Sequence, residues 1–438
     1  MALAWRSRLP GFAIAHDTPR LIGETVTDLF STLDAGQPRW RLPRSARDPR
    51  AWHVLAAFAV VGFGIGLTQN GAAGVVQDQV ADLDTTVDVL GFTMVAYSLG
   101  VVVGAPLLMV GLGRMGRRPL LLATSAMFLL TSVATVLAPT VEALMVIRFL
   151  AGVPHGALLG AASYVAMTVL GRERRGRAVS IIMLGLTTSL IVGVPFMQWL
   201  SNASGWRMAY VAVTLVAVVA FAGVWAFTPN VPGNPHASPR AELRALRGRP
   251  LWTAIVAVTV GFAGLGAVFS YIVPLLEVTN GFGADQVTWI LVVWGCAMTL
   301  GAYLGGRLTD RSHIGAGRLG LGLASLALLG IAVLGDMPAV TVALLVLLGC
   351  SIQIFSQSSQ VHLMDVMHGS PSLGSALAHA ALNAATALGT GLGALVIAAG
   401  FGYQAPAWAA LALAAVAMVM ITLGPGYRDL SRTPRAAP

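Results

Sequence analysis

Apolar residues in this chain come in long unbroken blocks, without the short alternation that marks a half-buried strand or a surface helix. From Trp52 onward there are twelve such blocks, at about 52–77, 88–110, 119–138, 141–170, 177–200, 206–228, 251–278, 286–309, 317–335, 338–364, 372–399 and 404–424. Each is close to or above the ~20 residues that a helix needs to cross the hydrocarbon layer of a bilayer. The pattern therefore predicts an all-α polytopic membrane protein with twelve transmembrane helices. Residues 229–250 are the one long interior connection. They open on a Pro/Gly/Asn cluster and close on Ala-Glu-Leu-Arg-Ala-Leu-Arg, which reads as a linker followed by a short surface helix. This stretch separates two pseudo-symmetric six-helix bundles, 52–228 and 251–424, and leaves a tail at 425–438.

The first 51 residues do not share the pattern. They are polar, Arg-rich and interrupted by Pro10, Pro19, Pro38, Pro43 and Pro49, and the apolar run at 12–15 is broken by His16-Asp17 before it could form a signal peptide. Leu21, Ile22, Val26, Leu29, Phe30 and Leu33 recur at helical spacing, as in a short amphipathic helix on the inner leaflet. A disordered arm fits the same composition, and a partner-binding arm would give the chain a role other than transport.

Composition agrees with the pattern and adds an orientation. The 438 residues are 56% apolar and 10% charged, with a mean hydropathy of +0.77, whereas soluble domains carry about a quarter charged residues. Lysine is absent, so the +9 formal charge comes from 27 Arg set against 18 acids. With the N-terminus inside, 25 of the 27 arginines fall on the inner side, and Asp78, Asp82, Asp84, Asp88, Glu142, Asp285 and Asp336 fall outside. Cationic loops are retained in the cytoplasm, so both termini are expected there, in the inner membrane of a bacterium. The basic charge is thus a topology signal and not a nucleic-acid patch. Cys296 and Cys350 lie in apolar runs and support neither a disulfide framework nor a metal site. There is no phosphate-gripping loop, no metal-spaced His/Cys cluster and no nucleophile–base set. A non-enzymatic protein without metal or cofactor is expected, drawing on an ion gradient or on downhill flow.

The two bundles repeat one another. Gly113-Arg-Met-Gly-Arg-Arg-Pro119 and Gly305-Gly-Arg-Leu-Thr-Asp-Arg311 follow the second block of their halves, and Gly205-Trp-Arg207 and Gly402-Tyr-Gln404 follow the fifth. Parallel six-helix repeats imply a small-molecule site near the midplane between the halves, reached alternately from each side.

With Arg148-Phe-Leu-Ala-Gly-Val-Pro-His-Gly156, Arg174-Arg-Gly-Arg-Ala178, Gly185-Leu-Thr, Gly193-Val-Pro195 and Leu382-Asn383 added to these repeats, the chain resembles the major facilitator superfamily over about 52–424. Within it the chain resembles the arabinose-efflux-like branch of drug:proton antiporters. The resemblance implies export of a small organic solute (a drug, a sugar or a nucleoside-like compound) in exchange for protons, by a protein expected to be a monomer. It also places Gly193 and Pro195 in an exporter signature that shapes closure between the halves, with Phe196-Met197 where a Gly pair is commonly found. The inner gate falls on Arg117, Arg118, Asp310 and Arg311, with Gly113 where an Asp is usual. Close relatives tend to carry a Glu where this chain has Gln69, an Arg at His362 and an Asn at Ala378. Gln69 cannot take up a proton near neutral pH, so an uncoupled facilitator or importer is the alternative.

Ionisable groups inside a span are costly and mark functional sites. Arg148 and His155 lie seven residues apart in the fourth block and project from one face, beside a row of Gly152, Gly156 and Gly160. They are expected to couple transport to protons, together with His379. Against this, the glycine row could serve only to pack the helix. The eleventh block carries a polar stripe of His379, Asn383, Thr386 and Thr390, and the tenth one of Gln353, Gln357 and Gln360. Thr386 and Thr390 read as interhelical glue. The substrate cavity is expected to be lined by Gln69, Asn70, Tyr97, Tyr271, Gln353, Gln357 and Asn383.

Overall fold

The computed structural model describes residues 49–233, 244 and 246–428. The amphipathic pattern at 21–33, most of the helix expected at 241–247 and the tail beyond Arg428 lie outside those residues. Twelve described helices are long and apolar enough to cross a bilayer. They are α1 Arg50–Asn70, α2 Val89–Gly111, α3 Arg117–Val136, α4 Val141–Leu170, α5 Arg172–Ser204, α6 Trp206–Phe227, α7 Arg249–Phe269, α8 Asp285–Arg311, α9 His313–Leu334, α10 Pro338–Val366, α11 Pro371–Phe401 and α12 Ala405–Leu423. Their order matches the apolar blocks one for one.

The departures occur where glycine or proline interrupts the backbone ladder. The first block ends as regular helix at Asn70 and continues as a tight turn, Gly71–Val75, and a short helix, Val76–Asp82. In α7 the helix stops before Ser270, and the chain continues through Ile272–Pro274 into a wide turn, Leu275–Thr279. Pro274 has no N–H to offer the carbonyl four residues back. Pro195 does the same in α5, where Ser189–Gly193 widens into a π turn ahead of it. The two glycines in matching slots of the repeat, Gly205 and Gly402, have φ of 84° and 78° with ψ of 157° and 179°. That region of backbone space is essentially restricted to glycine, so the repeat extends to the turns.

Lipid offers no hydrophobic drive for helix association, and close packing of small residues takes its place. The glycine row of α4 shows this. Gly152 meets the backbone of Tyr97 in α2, Gly156 lies between Ala105 of α2 and Ala376 of α11, and Gly160 faces Ser372 and Ala376 of α11. The row therefore packs α4 first within its own half and then against the other.

The connections that carry arginines after α2, α4 and α8 lie at one end of the bundle with the end of α10, and the turns bearing Asp82 and Asp285 lie at the other. At the Arg-rich end the halves are tied together. Ser180 in α5 donates to the carbonyl of Ala302 in α8 at 2.6 Å, and Gln360 in α10 donates to Ser163 in α4 at 3.1 Å. Near the middle, Thr299 of α8 donates to Thr187 of α5 at 3.1 Å. Helix α11 is buried over 372–381 and exposed further along at Leu388, Leu395 and Phe401. The bundle is closed at its Arg-rich end.

Candidate functional site

Arg148 is the eighth residue of α4 and is 1% exposed. Its Nη1 donates to the carbonyl of Thr68 at 2.6 Å. Because α1 stops at Asn70, that carbonyl belongs to the last turn, whose acceptors lack regular intrahelical partners. The guanidinium carbon lies 5.0 Å from the centroid of the Tyr97 ring in α2. A charge-assisted hydrogen bond contributes about 1.5–3 kcal/mol and a desolvated cation–π contact about 2 kcal/mol. Removing a guanidinium from water costs several kcal/mol, and Nε and Nη2 have no hydrogen-bond partner among the described residues. The charge is held at a net cost, which is the mark of a group kept for function.

Tyr97 passes the contact on. Its hydroxyl is 2.8 Å from Nδ1 of His155, also 1% exposed, and the His155 ring lies 5.5 Å from that of His379 in α11. Nε2 of His379 is 3.2 Å from Nε2 of Gln360, which donates to Ser375 at 2.6 Å as well as to Ser163. A continuous polar chain thus runs from α1 through α4 and α2 across the boundary to α11 and α10. Beside it, Gln69 donates to Asn383 at 3.2 Å, and Asn383 donates to the carbonyl of His379 at 2.9 Å. Two imidazoles, a phenol and three amides can hold and hand on a proton or hydrogen-bond a neutral solute. A proton on His155 would stand one ring away from the fixed charge of Arg148, so proton and guanidinium oppose each other across Tyr97.

A second constellation closes the Arg-rich end. Asp310, at the end of α8, accepts from the backbone N–H groups of Gly176 at 2.7 Å and Arg177 at 3.3 Å, and its other oxygen is 2.9 Å from Nε of Arg177. Those N–H groups lie in the first turns of α5, where the helix dipole also favours a carboxylate. Arg175 forms an ion pair with Asp365 at the end of α10 and donates to Nδ1 of His313 at 3.0 Å. Both ties join one half to the other.

The sequence profile of the Major Facilitator Superfamily matches residues 58–376. The chain is 31% identical to the inner membrane transport protein YdhP of Escherichia coli (strain K12), over 80% of this chain and 90% of that one. It is 26% identical to a chloramphenicol resistance protein of Streptomyces lividans, over 81% and 92% of the two chains. The chain belongs to the major facilitator superfamily. Among solved structures, FucP, a major facilitator superfamily transporter, shares the fold with a TM-score of 0.66 at 14% identity, covering 84% of this chain and 98% of its own.

As a member of the superfamily this chain is a membrane transporter and not an enzyme, and its expected residues divide into three groups. Arg148, His155, His379, Tyr97, Gln69 and Asn383 converge on one network. Gln357 instead donates to the carbonyl of Ala302 within the second half at 2.9 Å, and Gln353, on the same stripe, is buried near the backbone contact of α10 with Gly305. Asn70 sits at the junction of α1 with its tight turn. Tyr271 lies at the break after α7 and donates to the carbonyl of Thr390 in α11 at 3.0 Å. Thr390 also meets Ser270 at 2.6 Å, as expected of interhelical glue, whereas Thr386 donates to the carbonyl of Leu382 in its own helix.

Of the expected gate residues, Asp310 bridges the halves. Arg118 donates to the carbonyl of Trp225 at the end of α6, and the Arg117 guanidinium lies 5.3 Å from the Tyr164 ring of α4, both inside the first half. Arg311 is exposed. Asp310 takes its partners from α5, because the first turn of α5 presents two N–H groups as well as Arg177. Arg175, Arg177 and Asp365 bridge the two halves, and sequence reasoning passed over them. Their one visible signal was Asp365, an acid beside α10 on the side where the arginines gather. Gly193 ends the π turn of α5, just ahead of Pro195, and packs on Leu67 of α1.

Proposed function

We propose that this chain exports a small organic solute across the bacterial inner membrane by alternating access, in exchange for protons, with both termini and the Arg-rich end in the cytoplasm. The observation that carries the reading is the chain Arg148–Tyr97–His155–His379, which crosses between the halves beside the Gln69–Asn383 pair. Closure of the Arg-rich end by Asp310 and Arg175 supports an outward-facing state, ready to release solute and to load a proton. The spread of arginines supports the orientation. Amides and a phenol suit a neutral, hydrogen-bonding solute, and the chloramphenicol resistance relative makes chloramphenicol the first compound to try.

The test is flux of radiolabelled chloramphenicol in proteoliposomes under an imposed pH gradient, with a trapped pH dye. Solute movement with opposite proton movement is expected. His155→Gln should abolish the pH-driven part of the flux and leave equilibrium binding measurable. Flux without any pH change would support instead a facilitator, the reading that Gln69 favours because it carries an amide at a position where a coupling carboxylate would bind the proton.

A further inference from the structure

The Arg-rich end holds a cluster of titratable side chains that the central chain does not use. His313 at the start of α9, His362 and Asp365 near the end of α10, and Tyr427 in the turn Pro425–Arg428 belong to the second half, and Arg175 reaches them from the first. Arg175 donates through Nη1 to Asp365 and through Nη2 to Nδ1 of His313. A guanidinium has only donors, so Nδ1 of His313 carries a lone pair here and the ring is neutral, with its proton on Nε2. The same Nδ1 stands 3.6 Å from the second oxygen of Asp365.

We propose that His313 is a second proton site, distinct from the central chain, and that its occupancy unlocks the Arg-rich end. A proton from the solvent on that side binds the Nδ1 lone pair. Arg175 then loses its acceptor and gains a positive neighbour. The new N–H of His313 faces Asp365 and pairs with it inside the second half, so the carboxylate that tied the halves together is satisfied without the first. The side chains of His313, Asp365 and Arg175 are 13%, 20% and 28% exposed, which gives protons a path. From the remaining elements, the His362 ring stacks 5.4 Å from His313, and the Tyr427 ring lies 3.8 Å from His362 at 10°. His362 is 1% exposed and neither of its ring nitrogens has a hydrogen-bond partner among the described residues, so it meets His313 by ring stacking alone. Asp310 holds the same first turns of α5 through a separate tie, to the N–H groups of Gly176 and Arg177 and to the Arg177 guanidinium.

The inference rests on the alternating-access reading and does not require that transport be proton-coupled. Spin labels at Arg174→Cys and His368→Cys, both exposed positions, in full-length protein with Cys296→Ser and Cys350→Ser and in nanodiscs, report the separation of the halves. A short distance is expected at high pH, with a longer one growing as the pH falls and the population ratio changing about tenfold, the effect of losing one charge-assisted hydrogen bond. His313→Gln keeps an acceptor for Arg175 and should hold the short distance throughout. His313→Arg carries a fixed charge and should show the long distance even at high pH. A His313→Gln protein that opens with acid like the parent, or a His313→Arg protein that stays closed, would overturn the proposal. Proteoliposomes without proton-coupled flux, but with this distance response intact, would remove the coupled-export reading alone.

Discussion

Tyr97 does two separable jobs in the central chain, and the size of each decides what a substitution does. Its ring supports the Arg148 guanidinium, and its hydroxyl satisfies Nδ1 of His155. Tyr97→Phe keeps the ring and leaves a buried imidazole nitrogen without its partner, a loss of about 1–3 kcal/mol. Tyr97→Leu also removes the cation–π contact, a further loss of about 2 kcal/mol at a desolvated site. Thermal unfolding in detergent should therefore rank parent above Phe and Phe above Leu. The Phe protein should lose the pH dependence of flux, because the disconnected group is His155. Equal unfolding temperatures for the Phe and Leu variants would show that Arg148 does not lean on this ring.

At the scale of elements, the short helix Val76–Asp82 is held by its acids. Asp82 pairs with Arg207 and accepts from Nε1 of Trp206 at 3.0 Å, Asp78 accepts from Ser201, and Arg207 also donates to the carbonyl of Ala138. The Arg207 hydrogen bond holds the Asp82 carboxyl below the usual carboxylate range, and the Trp206 indole adds to the effect. A depressed folded value means stability that is present above the unfolded pKa, about 3.9, and lost as the pH falls through the folded value. Asp82→Asn should therefore lower the unfolding temperature by a similar amount from neutral pH down to about 5, and the difference from the parent should begin to shrink below about pH 4 and vanish only below the depressed folded value, where Asp82 itself protonates. Both side chains are about two-fifths exposed, so the effect is at most about 1 kcal/mol. A difference that instead grew with acid would mean that the pair is not what anchors this helix. That short helix was not legible in the sequence, where the first apolar block ran unbroken to residue 77, but the turn facing it was. Gly205-Trp-Arg207 was visible as one member of a repeat, and its Gly402 counterpart has the same backbone. Hydrophobic blocks likewise specify helices directly, because the bilayer leaves no other spanning structure for them. Arg148, His155 and Asn383 stood out for the same reason, as polar residues surrounded by apolar ones. The partners of Asp310 did not, since Arg177 and Asp310 are 133 positions apart and neither half alone shows that the first turn of α5 faces the end of α8. The resemblance places Arg117 and Arg118 in the inner gate, and in the structure Arg117 meets the Tyr164 ring of α4 and Arg118 the Trp225 carbonyl of α6.

For the molecule as a whole, the boundary between halves is a set of close approaches that must separate if the Arg-rich end is to open, and Gly160 marks one of them. A Cβ there would lie 2.7 Å from the carbonyl oxygen of Ser372 and 2.9 Å from the backbone nitrogen of Ala376, nearer than real Cβ contacts come to fixed backbone. Gly160→Val therefore acts against the closed state, whereas Gly152→Val clashes with the backbone of Tyr97 inside one half and acts on folding in every state. Overpacking of this kind costs about 1–3 kcal/mol, so Gly160→Val should raise the open-to-closed ratio roughly ten- to a hundredfold. The readout is labelling of Thr309→Cys, 1% exposed beside Gly176 in the closed bundle, by a membrane-impermeant maleimide in protein with Cys296→Ser and Cys350→Ser. Gly160→Val should speed labelling with little loss of unfolding temperature, and Gly152→Val should lower the unfolding temperature with labelling of the folded fraction unchanged. Slow labelling of a well-folded Gly160→Val protein would mean that α4 and α11 yield locally, and that the ties at Asp310 and Arg175 alone hold the end closed. The two substitutions thus separate contacts that make the fold from contacts that select its state. In a bundle with so few charges, both kinds of contact rest on glycine as much as on ion pairs.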